Sequence, residues 1–283
     1  MGRDVEVFSH GVAVITGAGA GIGAGLARRA GALGMTVVVA DVDLDRAQAI
    51  AGEIRAAGGL ADPIRVDVSR AEELDRLAET VHARHGDVRL LVNNAGIETI
   101  GYSWEIPAER WDATLDINVH GVVHGVRAFA PRMLASGQEA WIANLASMGA
   151  FSVMPCQTAY IMTKHAVQAF SECLYLEMQL KGAPIHVCSI MPGMLKTSIF
   201  EASAGAGEPP AAATHRRKMF EMMRDYGMDL AEGCQRIMEQ VAEGRFWVHT
   251  QPDMTMSAIE SRIAFFNSQQ PPVMNEAVRE LVD

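Results

Sequence analysis

The apolar positions of this chain fall into short runs separated by longer amphipathic stretches. Val12–Thr16, Thr36–Asp41, Pro63–Asp67, Leu90–Asn93, Trp141–Ser147, Ile185–Met191 and Phe246–His249 are apolar runs of strand length, the pattern of strands buried on both faces of a parallel sheet. The intervening segments repeat apolar residues at helical spacing, as from Ile22 to Leu33. Alternation of the two patterns along the whole chain predicts an α/β fold, a parallel sheet of about seven strands with helices on both faces. Crossovers in such a sheet are right-handed, and ligands bind at the edge where the carboxyl ends of the strands emerge. Gly17, Asp41, Asp67, Asn94, Ser147 and Pro192 all fall at those ends.

The first run leads directly into Thr16-Gly17-Ala18-Gly19-Ala20-Gly21-Ile22-Gly23. Glycine permits a tight turn and lets backbone N–H groups approach a pyrophosphate, and the following helix points its positive end at the phosphates. The second run ends in Asp41, where an acid hydrogen-bonds the adenosine ribose hydroxyls and repels a 2′-phosphate. Ala18, Ala20 and Val42 offer no basic residue to reverse that preference, so the expected cofactor is NAD. Strand, glycine loop, helix and acid occur in the right order, which makes a merely flexible loop a poor explanation.

Tyr160 and Lys164 are four apart on a predicted helix, with Ser147 thirteen residues upstream. A tyrosine of ordinary pKa, about 10, is a poor acid or base near neutrality. An ammonium one helical turn away favours the phenolate and moves the group toward a useful range. A serine hydroxyl beside it can hold a substrate oxygen. This trio suggests proton transfer at a carbonyl or alcohol, with the dinucleotide site supplying the redox partner.

Glycine loop and Ser/Tyr/Lys trio together resemble the short-chain dehydrogenase/reductase family over nearly the whole chain. Asp67-Val68 looks like the family's adenine contact, and Asn93-Asn94-Ala95-Gly96 like its fourth-strand motif. Asn118 matches the asparagine that completes the catalytic group by helping to hold a water against the lysine, and Pro192-Gly193 with Thr197 matches the segment that fixes the nicotinamide carboxamide. One departure is Ala146, where many members carry a second serine before the catalytic one. The resemblance implies a single Rossmann-type, doubly wound domain over residues 1–283. It also implies a cofactor site at Gly17, Gly19, Gly21, Ile22, Gly23, Asp41, Asp67, Val68, Asn94, Ala95, Gly96, Tyr160, Lys164, Pro192, Gly193 and Thr197. The implied catalytic group is Asn118, Ser147, Tyr160 and Lys164, with Lys164 lowering the tyrosine pKa and binding the nicotinamide ribose.

Family precedent places the variable substrate pocket at Ile97, Glu98 and Thr99, at Met148, Gly149 and Ala150, at Met154 and Gln157, and at Met194 with the stretch beyond it. These are mostly apolar. Methionine continues at Met219, Met222 and Met223, either as the core of a lid helix or as adaptable pocket lining. Ala, Gly and Pro between Ile199 and Thr214 suit a mobile loop within a lid of about residues 194–228. No Arg or Lys cluster offers to hold a carboxylate or phosphate. The expected substrate is therefore a small hydrophobic secondary alcohol or its ketone. Two rivals remain: an NADPH-dependent ketoreductase, disfavoured by Asp41, and a non-catalytic dinucleotide sensor, which has no need of the complete catalytic group.

Composition narrows the picture further. With 283 residues, 49% hydrophobic, the chain can bury a large core. A formal net charge of −10 argues against nucleic-acid partners, and Arg216-Arg217-Lys218 is too short a basic run to overturn that. The N-terminus is not signal-like and no apolar span suits a membrane, so a cytosolic protein is expected. Cys156, Cys173, Cys188 and Cys234 lack metal spacing and read as reduced thiols. His120 and His124 lack further ligands and read as packing or interface residues, so no metal is expected, while His165 should point away from Lys164. Residues 250–283 read as a tail with a short helix from Val273 to Val282. Family precedent suggests a homodimer or homotetramer built through helices at Glu109–Ser136 and Ala159–Lys181.

Overall fold

A computed structural model describes residues 2–201, 209–274 and 276–281. Along the chain run α1 (Arg3–Val7), β1 (Val12–Thr16), α2 (Gly21–Leu33), β2 (Thr36–Asp41), α3 (Leu44–Ala56), β3 (Leu60–Arg65), α4 (Ala71–His85) and β4 (Val88–Asn93). Then come α5 (Ala108–Leu115), a π turn (Asp116–His120), α6 (Gly121–Ser136), β5 (Ala140–Leu145), a 3₁₀ turn (Met148–Phe151), α7 (Thr158–Lys181) and β6 (Ile185–Met191). The last elements are α8 (Pro210–Tyr226), α9 (Leu230–Ala242), β7 (Trp247–His249), α10 (Pro252–Ser268) and α11 (Glu276–Glu280).

The strands form one seven-stranded sheet in the order β3-β2-β1-β4-β5-β6-β7, parallel throughout. Because side chains alternate across a strand, β1 feeds two cores. Ala13 and Ile15 pack with α2, α3 and α9 through Leu26, Ile50, Ile54 and Ile237. Val12 and Val14 pack with α4, α6 and α7 through Leu74, Val81, Phe129, Met133 and Leu174. Strand order reverses between β1 and β4, and the crevice outside their carboxyl ends is where an open sheet of this kind receives a ligand. This is the α/β architecture with helices on both faces that the apolar runs predict.

Three expectations are corrected. β3 is Leu60–Arg65 rather than Pro63–Asp67, and β5 ends at Leu145, so Asp67 and Ser147 lie on the turns beyond their strands. As an edge strand, β3 tolerates Pro63 in its interior and needs no continuous apolar run. The expected loop at 199–214 is interrupted by α8, whose first residue is Pro210, a favoured first helical position; residues 202–208 of that expectation lie outside the described residues. The expected tail contains α10, a 17-residue helix the reading missed. Among the described residues no helix is long and apolar enough to cross a membrane, and no group of three or more His, Cys, Asp or Glu could hold a metal ion.

Candidate active site

Strand β1 delivers the glycine loop to the crevice. Gly17 has φ +62°, and a Cβ on it would stand 2.8 Å from the Ala95 Cα; a Cβ on Gly23 would stand 2.2 Å from the Gly17 carbonyl oxygen. Only glycine fits at either place, and the result is a concave backbone at the N-terminus of α2, the shape and polarity that a pyrophosphate requires. Asn94 shapes this cradle from the neighbouring strand, its Nδ2 donating to the carbonyls of Thr16 (2.8 Å) and Gly17 (3.1 Å). Thr16 Oγ1 in turn accepts from the N–H groups of Asn94 (3.0 Å) and Ala95 (3.2 Å).

At the end of β2, Asp41 accepts from the Gly19 N–H through Oδ2 (2.8 Å) and from the Asp43 N–H through Oδ1 (3.0 Å). The same corner brings in Arg46, whose Cβ would lie 2.8 Å from a Cβ on Gly19; its guanidinium pairs with Asp43 at 3.1 Å. The sequence reading missed this cation because it looked only at residues flanking the loop and the acid, whereas Arg46 comes round on the first turn of α3. Further along the edge, Asp67 accepts from the N–H and hydroxyl of Ser69, and Val68 packs against Gly121. Ile22 is half-buried against the core beneath the cradle, and Thr197 borders Gly21. Gly193 donates its N–H to Thr250 Oγ1 (3.0 Å), while Gln251 Nε2 donates to the Met194 carbonyl (2.8 Å). Thr250 and Gln251 thus hold the segment that follows Pro192, a role no local spacing announced. The cradle and its bordering residues fit a dinucleotide.

The catalytic candidates meet beyond this cradle. Ser147 caps the 3₁₀ turn, accepting from the Gly149 N–H (3.0 Å), and its hydroxyl draws down the pKa of Tyr160 on α7. Lys164, one turn further on, is buried, donates to the Leu145 carbonyl at 2.8 Å and stands 5.4 Å from the Tyr160 ring centre. Asn118 sits in the π turn, a form frequent at functional sites. Its Oδ1 accepts from the Ile97 N–H (2.8 Å), and its Nδ2 donates to the Ile97 carbonyl (2.9 Å) and to Thr163 Oγ1 (3.1 Å). A Cβ on Gly96 would touch both Asn118 Oδ1 (3.4 Å) and Lys164 Nζ (3.8 Å), so the fourth-strand loop adjoins the lysine. His165 is turned away, bonded to the Ile161 carbonyl at 3.0 Å.

Of the pocket candidates, Met148 adjoins Gly193, and the Met154 carbonyl receives the Gln157 N–H. Gln157 Nε2 reaches across to Glu98 Oε2 at 3.2 Å. Burial pushes the Glu98 carboxyl up to about 8 and the Lys164 ammonium down to about 8, each opposed by the other's charge. Tyr160 is raised above its ordinary value, first by burial and then by the Glu98 carboxylate, with only the Ser147 bond pulling it down. This differs from the expectation that Lys164 lowers the tyrosine. The ammonium is engaged with the Leu145 carbonyl, and the carboxylate brought in from the loop after β4 was invisible to a reading based on helical spacing.

A family model described as short chain dehydrogenase matches residues 11–206. Probable oxidoreductase EphD of Mycobacterium tuberculosis is 37% identical over 235 residues, which is 81% of this chain but only 39% of that protein. The 1-deoxy-11-beta-hydroxypentalenate dehydrogenase of Streptomyces exfoliatus is 36% identical over 69% of this chain and 72% of its own. A crystal structure of a short chain dehydrogenase/reductase from Burkholderia phymatum in complex with NAD superposes with a TM-score of 0.91 at 32% identity, covering 95% of this chain and 98% of the other. The family model spans more than half of the chain and the fold superposes on that of the Burkholderia enzyme, so the chain belongs to the short-chain dehydrogenase/reductase family.

Proposed function

We propose that the protein is an NAD(H)-dependent oxidoreductase that interconverts a secondary alcohol and its ketone, with Tyr160 as general acid and base. The observation that carries this reading is Tyr160 with the buried Lys164 one turn along, 5.4 Å from its ring centre, and Ser147 influencing the same phenol, next to the loop that adjoins the glycine cradle. The relative named for dehydrogenation of a hydroxypentalenate supports an alcohol substrate. The preference for NAD rests on Asp41, and the NAD-containing relative of Burkholderia supports it. Arg46 gives the NADPH reading its single foothold, but its guanidinium is paired with Asp43.

The residues that would hold the dinucleotide are Gly17, Gly19, Gly21 and Gly23 at the phosphates, Asp41 at the adenosine ribose, Asp67 and Val68 at the adenine, and Lys164, Pro192, Gly193 and Thr197 at the nicotinamide end. What the cofactor supplies when bound is hydride acceptance and return at the nicotinamide ring, with positive charge near the tyrosine in the oxidised form. In oxidation Ser147 holds the substrate oxygen while Tyr160, as phenolate, takes the hydroxyl proton as the carbinol hydride departs. In reduction the phenol returns that proton to the carbonyl oxygen. Lys164 places positive charge behind the tyrosine. Asn118 spends its amide on Ile97 and Thr163, so it acts chiefly by positioning the loop beside the lysine.

On this reading Met148, Met154 and Met194 with the methionines of α8 supply an adaptable apolar wall, and residues 194–201 and 209–228 belong to its lid. The α5–α6 segment and α7 form the natural face for a second copy. The test is reduced-nicotinamide formation with NAD and separately NADP against aryl, alicyclic and steroid secondary alcohols. Turnover with NAD that falls by at least about 10²-fold in Tyr160→Phe, with NADH binding retained, is the expected result. Full turnover by that variant overturns the assignment.

A further inference from the structure

An acid stands in the loop after β4, beside the start of α7, and the fold secures it from several directions. Glu98 follows the Ile97 backbone, which Asn118 grips at both its N–H (2.8 Å) and its carbonyl (2.9 Å). Arg110 from α5 donates to the Glu98 carbonyl oxygen (3.2 Å), and the next residue is tied down by the Thr99–Thr114 hydroxyl pair at 2.7 Å. The side chain is held as closely as the backbone. Oε1 accepts from the Thr99 N–H and Oε2 from Gln157 Nε2, both at 3.2 Å.

Gln157 is itself deliberately placed. It is the residue before α7, three before Tyr160, and its carbonyl accepts from Ile161 (2.9 Å). The residue preceding it, Cys156, is buried and left-handed at φ +64°, a conformation a side chain-bearing residue adopts only when its surroundings impose it. The Gly101 N–H bonds to the Cys156 carbonyl at 2.8 Å, joining the Glu98 loop to the Gln157 turn. Two loops are thus locked together so that a carboxyl and an amide face each other at the N-terminal end of the catalytic helix.

When ionised, a carboxylate has about four acceptor positions, and protein donors reach two of them on Glu98. Its bond to Gln157, the residue before α7 and three before Tyr160, places it beside the N-terminal end of the catalytic helix. A substrate hydroxyl is a donor of the kind that suits the remaining positions.

We propose that Glu98, oriented by Gln157, is a specificity-determining residue that accepts a hydrogen bond from a second hydroxyl of the substrate, so that the preferred substrate is a diol, or a hydroxyketone in the reductive direction. This rests on the alcohol-oxidoreductase reading above and refines its apolar substrate class. The reacting carbinol faces Ser147 and Tyr160, the hydrocarbon lies against the methionines, and the second hydroxyl meets Glu98.

The test uses matched alicyclic, aryl and steroid alcohols, each offered as the mono-alcohol, the vicinal diol and the diol's monomethyl ether, with NAD. Wild type should favour the diol over both analogues by about tenfold or more in kcat/KM. Glu98→Ala should collapse that ratio toward one. Any effect of the lost charge on Tyr160 is common to all three substrates and cancels in the ratio. Glu98→Gln and Gln157→Ala carry the same comparison should the alanine variant fail to fold, Glu98→Gln keeping part of the preference and Gln157→Ala losing most of it. Wild-type turnover without a diol preference, or an equal loss on all three substrates in the variants, overturns this proposal and leaves the oxidoreductase reading standing. Silence of wild type on every alcohol overturns both.

Discussion

Asn118 closes a reciprocal pair of hydrogen bonds on Ile97, accepting from its N–H at 2.8 Å and donating to its carbonyl at 2.9 Å. A third bond to Thr163 Oγ1 ties the same amide to α7, so one buried side chain joins the fourth-strand loop to the catalytic helix. Asn118→Ala takes the side-chain partner from both the N–H and the carbonyl of Ile97, while Thr163 Oγ1 keeps its bond to the Tyr160 carbonyl. The expected loss of stability is about 1–3 kcal/mol, and displacement of the loop by about an ångström should lower kcat on the order of 10²-fold. Thermal melts and steady-state kinetics on the same preparation check both. A variant with wild-type melting and wild-type rate would show the clamp to be dispensable.

The charges around Tyr160 fix the direction of the pH dependence. Burial and the Glu98 carboxylate disfavour the phenolate, so alcohol oxidation should rise with pH and ketone reduction should fall. Lys164, held down to about 8 by burial and raised again by Glu98, loses its charge in the alkaline range and limits the rise. Glu98→Gln removes a negative charge felt by both groups. The phenolate then forms at lower pH and the lysine deprotonates at lower pH, so the whole oxidation profile should move toward acid. Profiles of kcat/KM for wild type and variant, taken under one buffer system, decide the matter, and superimposable curves would sink the coupling.

In the proposed reading, cofactor choice turns on two residues that the structure places beside Gly19. Asp41 would exclude a 2′-phosphate by charge, and Arg46 on α3 would receive one if its partner Asp43 released it. Asp41→Ser should raise the NADP-to-NAD ratio of kcat/KM by about 10²-fold, the scale of losing one close like-charge contact. Adding Arg46→Ala should take most of that gain away. A ratio unmoved by Asp41→Ser would transfer the discrimination to another part of the cleft.

How much of this was legible beforehand follows from where each interaction lies along the chain. β1, β2 and β6 were found to the residue because each is a continuous apolar run buried on both faces. β3 was misplaced because its side chains are only half-buried and Pro63 stands inside it, so no apolar run marks it. α10 escaped notice because most of its residues are exposed, including Ile263 and Phe266, and no amphipathic stripe separates it from a tail. Ser147, Tyr160 and Lys164 were legible through sequence spacing. The Glu98–Gln157 bond spans 59 residues and the Asn118–Ile97 clamp 21; both exist only because β4, the π turn and α7 converge at one sheet edge. No local pattern encodes such a pairing, so the bonds that fix Glu98 could not be read from the sequence.

The same acid gives the folded chain a pH dependence of its own. Glu98 titrates at about 8 rather than the usual 4.5, so between those values the folded chain keeps a proton that the unfolded chain has released. Stability from this group therefore falls as pH rises through that window. Lys164 acts in the opposite sense above it: from about 8 to its usual 10.5 the unfolded chain holds the extra proton, and stability recovers as pH rises. Together the two predict a local minimum of stability near the shared value. Discounted for the partial exposure of Glu98 and for the opposing charge of Lys164, the fall from acid to mildly alkaline pH is on the order of 2 kcal/mol, or about 5 °C in Tm. Glu98→Gln cannot titrate and should flatten the lower window, gaining on wild type steadily from pH 5 to pH 8, a range set by the usual and shifted values of Glu98. Melting curves of the two proteins across that range, without added dinucleotide, make the comparison. Parallel curves would mean that Glu98 is already ionised in the folded chain at mildly acid pH, with Lys164 neutralising it as a buried ion pair.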